Sequence, residues 1–94
     1  MKMQKGSGNV FKDIGFSDKE AANLEARSNL MSALKREIEK LNLTQTRVAK
    51  ILGVKPPRIS ELMNGHIDKF SLDLLLLYLS RLGKTVEFHI KKAA

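Results

Sequence analysis

Gly53 divides the stretch that most constrains this chain. Before it, Val48 and Leu52 lie four residues apart, with the small Ala49 beside them. After it, Ile59, Leu62 and Met63 recur on one side of residues 56–63. These spacings predict two short helices, each apolar on one face. The turn between them needs left-handed backbone, which glycine adopts freely. Val54 plugs the corner, and Ala49 lets the second helix cross closely over the first. This is the pattern of a helix-turn-helix, whose second helix can enter a DNA groove. An ordinary helical hairpin shares each feature singly. Ala49, Gly53, Val54, Ile59 and Leu62 at these mutual spacings, in a basic chain, favour DNA contact.

The charge agrees with that reading. The chain has 94 residues, a formal net charge of +7 and a pI of about 9.9. Such a surplus suits a polyanion: DNA, RNA or an anionic membrane. There is no cysteine, which excludes disulfides, thiolate zinc sites and a cysteine nucleophile. No segment approaches the ~18 apolar residues of a membrane span, and no signal peptide is seen, so a soluble cytoplasmic protein is expected. His66 and His89 are far apart and have no carboxylates clustered at ligand spacing, so no metal and no cofactor are expected. No serine–histidine–acid grouping and no glycine-rich phosphate loop is present, which argues against an enzyme. With no Trp, one Tyr and four Phe, stacking on single-stranded RNA is poorly supported.

The expected fold is mainly α, with four to five helices and one C-terminal β-strand. Residues 1–16 read as an N-terminal arm: three lysines, a Gly6-Ser7-Gly8 spacer, then Val10, Phe11, Ile14 and Phe16. Residues 17–94 read as the domain. Ser17 and Glu20 form a capping box that starts a helix at Asp18. Leu24, Met31 and Ile38, with Leu34 and Leu41, extend its apolar stripe to about Leu41, interrupted at Arg27-Ser28-Asn29. Thr44 caps the next helix. Pro56-Pro57 opens the third, where missing N–H groups cost nothing, and Asn64-Gly65 ends it. Ser71 caps a fourth helix, Leu72 to Leu82, that Gly83 terminates. Thr85 to Lys91 alternates Val86, Phe88 and Ile90 with polar residues, the period of a half-buried strand. Its partner would be the arm or the same strand of a second subunit.

Leucine is in surplus on the fourth helix. Leu72, Leu75, Leu76, Leu79 and Leu82 make one stripe; Leu74, Leu77 and Tyr78 fall outside it. That surplus needs cover from within the chain or from another subunit. The reading preferred is a homodimer, with Leu74, Leu77, Tyr78, Val86, Phe88 and Ile90 at the contact.

Candidate readers follow from the wheel of the third helix. Opposite Ile59, Leu62 and Met63 lie Pro57 and Glu61, flanked by Ser60 and Arg58, with Lys55 just before the helix. Arg58 suits guanine or a phosphate, Glu61 cytosine N4, Ser60 several bases, and the proline ring a thymine methyl. The alternative for Glu61 is a solvated helix residue paired with Arg58, and for Pro57 a plain helix starter. Phosphate contacts are assigned to Thr44 and Gln45 at a helix N-terminus, and to Asn64, His66 and Lys69.

Leu43-Thr44-Gln45, Ala49-Lys50-Ile51-Leu52-Gly53-Val54 and Arg58-Ile59-Ser60-Glu61-Leu62 resemble the Xre/Cro-type helix-turn-helix family of phage repressors and bacterial regulators. Residues 9–16, Phe70-Ser71-Leu72-Asp73 and Leu82-Gly83-Lys84-Thr85-Val86-Glu87-Phe88 resemble a branch rich in HigA-like antitoxins, in all over residues 9 to 91. The resemblance implies a sequence-specific repressor that binds a palindromic double-stranded operator as a homodimer. It further implies the antitoxin of a type II operon that regulates its own promoter, partnered by a RelE-like toxin. A stand-alone phage-type regulator, or a toxin-neutralising module with secondary DNA binding, fits the same residues. Pro56 departs from the family, which often has a glutamine that pairs with adenine there; a proline cannot make that contact.

Overall fold

The computed structural model describes Phe11 and residues 14–92. Among them are four α-helices and one 3-10 turn: α1 (Asp18–Leu41), α2 (Gln45–Leu52), α3 (Pro56–Met63), the turn Ile67–Lys69, and α4 (Leu72–Arg81).

Local chemistry fixes each helix end. The Ser17 hydroxyl accepts from the Glu20 amide at 3.2 Å, and the Glu20 carboxylate accepts from the Ser17 amide at 3.3 Å, closing the capping box. Thr44 and Ser71 cap α2 and α4 through their hydroxyls, each at 3.2 Å. Asn42 ends α1 in left-handed backbone, φ 54°. Pro56 and Pro57 open α3.

The core is built from one face of each helix. Met31, Leu34 and Ile38 come from α1; Val48, Ala49 and Leu52 from α2; Ile59 and Leu62 from α3; Leu75, Tyr78 and Leu79 from α4. Phe70, between the 3-10 turn and α4, is among the largest fully buried side chains and meets Tyr78 edge to face, ring centres 6.3 Å apart. α1 packs chiefly on α4, and α2 on α3. The long first helix is thus a back wall that leaves the α2–α3 hairpin at the front.

Four expectations need correction or completion. No β-strand is present among the described residues: Thr85 to Lys91 forms no ladder. A strand needs a second backbone to exchange hydrogen bonds with, and the described part of this chain supplies none. Pairing with the arm falls largely on residues 1–10 and 12–13, outside the described residues. Of the alternating apolar residues, Val86 packs on the core while Phe88 and Ile90 are 72% and 99% exposed. Tyr78 is not on a surplus face: it is buried against Phe70, and Leu74 lies half-buried on the same core, which leaves Leu77 as the exposed member of that trio. In α1 the seven-residue spacing drifts about 20° per repeat on a straight helix, and Leu41, in the last turn, is exposed while Ile38 is buried.

Candidate nucleic-acid interface

The α2–α3 turn is a Schellman ending. The Val54 amide donates to the Ala49 carbonyl at 2.9 Å and the Gly53 amide to the Lys50 carbonyl at 3.3 Å. Gly53 sits at φ 73°, the left-handed geometry the turn requires. Arg81, in the last turn of α4, reaches across and donates to the Leu52 carbonyl. The end of α2 is therefore held both by its own turn and by a cation from α4.

α3 lies on the core through Ile59 and Leu62, both 1% exposed, with Met63 half-buried beside them. This matches the wheel, so the opposite side carries Pro57 and Glu61, with Ser60 and Arg58 on the flanks. Lys55 and Pro57 are exposed; Ser60, Arg58 and Glu61 are half-buried. The first two residues of α3 have no N–H, so this helix end offers pyrrolidine rings where another helix would offer donors.

Arg58 is already engaged. One guanidinium nitrogen donates to the Lys69 carbonyl at 2.9 Å, another to Glu61 Oε1 at 3.2 Å, and the plane lies over the Phe70 ring at 4.1 Å from its centre. Lys69 Nζ stands 3.6 Å from Glu61 Oε2. Arg58, Glu61 and Lys69 thus come together, at the edge of α3 nearest the 3-10 turn.

The residues assigned to phosphate are spread around that centre. Gln45 is exposed at the start of α2, and Asn64, His66 and Lys69 are exposed along the segment after α3. The Thr44 hydroxyl is occupied as acceptor of the Arg47 amide at 3.2 Å. Arg47 and Lys50 project from the outer side of α2, beside the part-exposed Leu43 and Ile51.

Two cations that brace the motif escaped the sequence reading. Arg27 donates to the carbonyls of Ile67 and Phe70 at 3.1 and 3.3 Å, tying α1 to the 3-10 turn, while its Nε donates to Asn23 at 2.8 Å. A usable signal existed: Arg27 stands three after Leu24 and four before Met31, within the apolar stripe, where a cation needs an acceptor. Arg81 gave less warning, since a basic residue in a last helical turn is ordinary. Elsewhere, Glu37 holds Lys40 at 3.2 Å and Lys84 at 3.5 Å. The Lys40 hydrogen bond, opposed by some loss of solvation and helped by the charges of Lys40 and Lys84, lowers its pKa from the ordinary carboxylate value.

Among the described residues no group of three metal-ligating side chains occurs, and no helix is long and apolar enough to cross a membrane.

Residues 10–91 match a family described as a helix-turn-helix domain. A solved chain described as an XRE family transcriptional regulator superposes with a TM-score of 0.71 at 32% sequence identity, covering 78% of this chain and 82% of that one. No curated protein matches the sequence significantly. With the glycine turn, the buried face of α3 and the family match spanning all four helices, this chain belongs to the helix-turn-helix domain family and is of the Xre type.

Proposed function

We propose that the protein is a transcriptional repressor that binds a palindromic operator as a homodimer, with α3 in the major groove. The observation that carries this reading is the division of α3: Ile59 and Leu62 are sealed into the core, while on the opposite side Pro57 is exposed and Glu61 is half-buried beside Arg58 and Lys69. Lys55, Pro57, Ser60 and Glu61 face base edges. Gln45, Asn64, His66 and Lys69 contact phosphates, aided by the N-terminus of α2 that Thr44 shapes. Repression is steric, since a bound dimer denies the site to polymerase.

The dimer uses the C-terminal segment. Leu77, Phe88 and Ile90 are exposed apolar side chains, and the alternating segment 85–91, which forms no ladder among the described residues, pairs with a second copy of itself. Val86 and Leu74 support the contact from the core side. Two copies related by a two-fold axis place two α3 helices about one DNA turn, ~34 Å, apart.

Within the regulators, the resemblance of residues 9–16, 70–73 and 82–88 to HigA-like antitoxins supports a toxin–antitoxin operon under its own control. Co-expression with the product of the neighbouring gene, followed by gel shift on the shared promoter, tests both parts. Co-purification with a small basic RelE-like protein and a shifted promoter are expected. A shift without a toxin partner leaves a stand-alone regulator, and a toxin complex without a shift leaves a neutralising module.

A further inference from the structure

We infer that Arg58 is a positioning residue rather than a reader of DNA, and that it fixes Glu61 as the residue that selects one base pair. This inference rests on the proposal that α3 reads duplex DNA.

Arg58 is held from three directions. Its guanidinium donates to the Lys69 carbonyl at 2.9 Å, pairs with Glu61 Oε1 at 3.2 Å and lies 4.1 Å from the centre of the Phe70 ring. Phe70 is itself 1% exposed and packed edge to face on Tyr78, so the platform under the cation is part of the core. To fork onto a guanine, Arg58 would have to leave a carbonyl, a carboxylate and an aromatic face together. A planar guanidinium suits this combination, and an ammonium cannot reproduce it.

Glu61 is placed differently. It lies opposite the buried face of α3, and both of its oxygens meet a cation: Oε1 meets Arg58, and Oε2 meets Lys69 at 3.6 Å. The Arg58 pair holds the carboxylate in one orientation and cancels the charge that would repel DNA phosphates. Each oxygen keeps a free lone pair, and a carboxylate only accepts. The base-edge group it fits is the N4 amino group of cytosine, a donor in the major groove. Lys69 is the looser partner, half-exposed and farther away, and can pass from Glu61 to a phosphate when DNA arrives.

The test uses the full chain and a duplex that the parent has selected from a random pool, with each base pair of one half-site substituted in turn. Affinities are measured by fluorescence anisotropy for the parent and for E61Q, R58M and R58K, with a thermal melt of each. The parent should prefer cytosine at one position by about tenfold. E61Q should lose that preference and keep the others. R58M should lose preference at the same position, and R58K, which restores the ion pair, should regain part of it. R58M acting at a different base pair would show that Arg58 reads DNA itself. Weaker binding of R58M to every duplex, with preferences intact, would make Arg58 merely structural. Tighter binding of E61Q to all duplexes would make Glu61 a mask over two cations. Any of these overturns the inference while leaving DNA binding in place. A parent that selects no sequence overturns the regulator reading as well. Should R58M fail to fold, R58K and E61Q still decide the matter, because each must shift the same base pair.

Discussion

Arg81 and Gly53 share one small space: a Cβ built on Gly53 would stand 2.8 Å from Arg81 Nη1, the atom that donates to the Leu52 carbonyl. The turn of the motif is therefore constrained twice, by backbone sign and by a neighbouring cation. Gly53→Ala should destabilise the chain by at least ~1 kcal/mol through left-handed strain, and further by displacing Arg81. Because the second part needs Arg81, the cost of Gly53→Ala should shrink in an Arg81→Ala background. Thermal unfolding of the two single variants and the double variant checks this. Additive losses would mean that the two residues do not interact.

Arg27 holds α1 against the segment that follows α3. Arg27→Met keeps most of the aliphatic volume and removes the donors to two carbonyls. A loss of about 1–3 kcal/mol is expected in denaturant unfolding. Weakened DNA binding should accompany it, because the 3-10 turn carrying Lys69 loses its anchor. Unchanged stability would show that water replaces the guanidinium without cost.

Affinity for DNA should fall steeply with salt. Arg47, Lys50, Lys55, Arg58 and Lys69 are the basic residues between Gln45 and Lys69, and a dimer doubles them. Contact with roughly six to ten phosphates implies a loss on the order of a thousandfold between about 50 and 200 mM salt. Arg58, engaged internally, should add little: R58M, which removes the charge, should leave the slope of log affinity against log salt nearly unchanged, while Lys69→Met, lost from both protomers, should lower it by ~2. Titrations at several salt concentrations give these slopes directly.

Removal of residues 84–94 should separate folding from assembly. The truncated chain keeps the four helices but loses Val86, Phe88 and Ile90, so it should lose the dimer and bind operator poorly. Light scattering with gel shift tests this. A soluble dimer of full affinity would place the subunit contact elsewhere.

Glu37 links α1 to the end of α4 through Lys84. Its pKa is depressed in the folded chain, so its contribution is present above the unfolded carboxylate value and is lost as pH falls through the lower folded value. Glu37→Gln should therefore melt slightly lower than the parent at neutral pH and together with it in acid. Melts between neutral pH and about pH 3 test the sign; a difference that grows in acid would contradict it.

Much of the fold was legible in the sequence because it is written in local signals. Ser17, Thr44, Ser71 and Gly53 act within a few residues of themselves, and the 3.6-residue period of α2 and α3 survives in eight residues each. What escaped depends on tertiary placement. The alternation of Val86, Phe88 and Ile90 is a true two-residue period, but a strand is a relation between backbones and cannot be read from one segment. Tyr78 lay off the stripe of its own helix because a wheel ignores Phe70, the aromatic partner that draws it inward. The candidate site divides the same way. The outward face of α3 followed from its period, whereas the engagement of Arg58 with Lys69 and Phe70, eleven and twelve residues away, could not.

Selection of the full-length protein against a pool of random duplex DNA at physiological salt most directly tests the central claim, that α3 and its symmetry mate read an operator. The expected result is enrichment of an inverted repeat whose half-site centres lie about 10–10.5 base pairs, or a multiple of that, apart. Recovery of duplexes with no common sequence, or of single half-sites bound by a monomer, would contradict it.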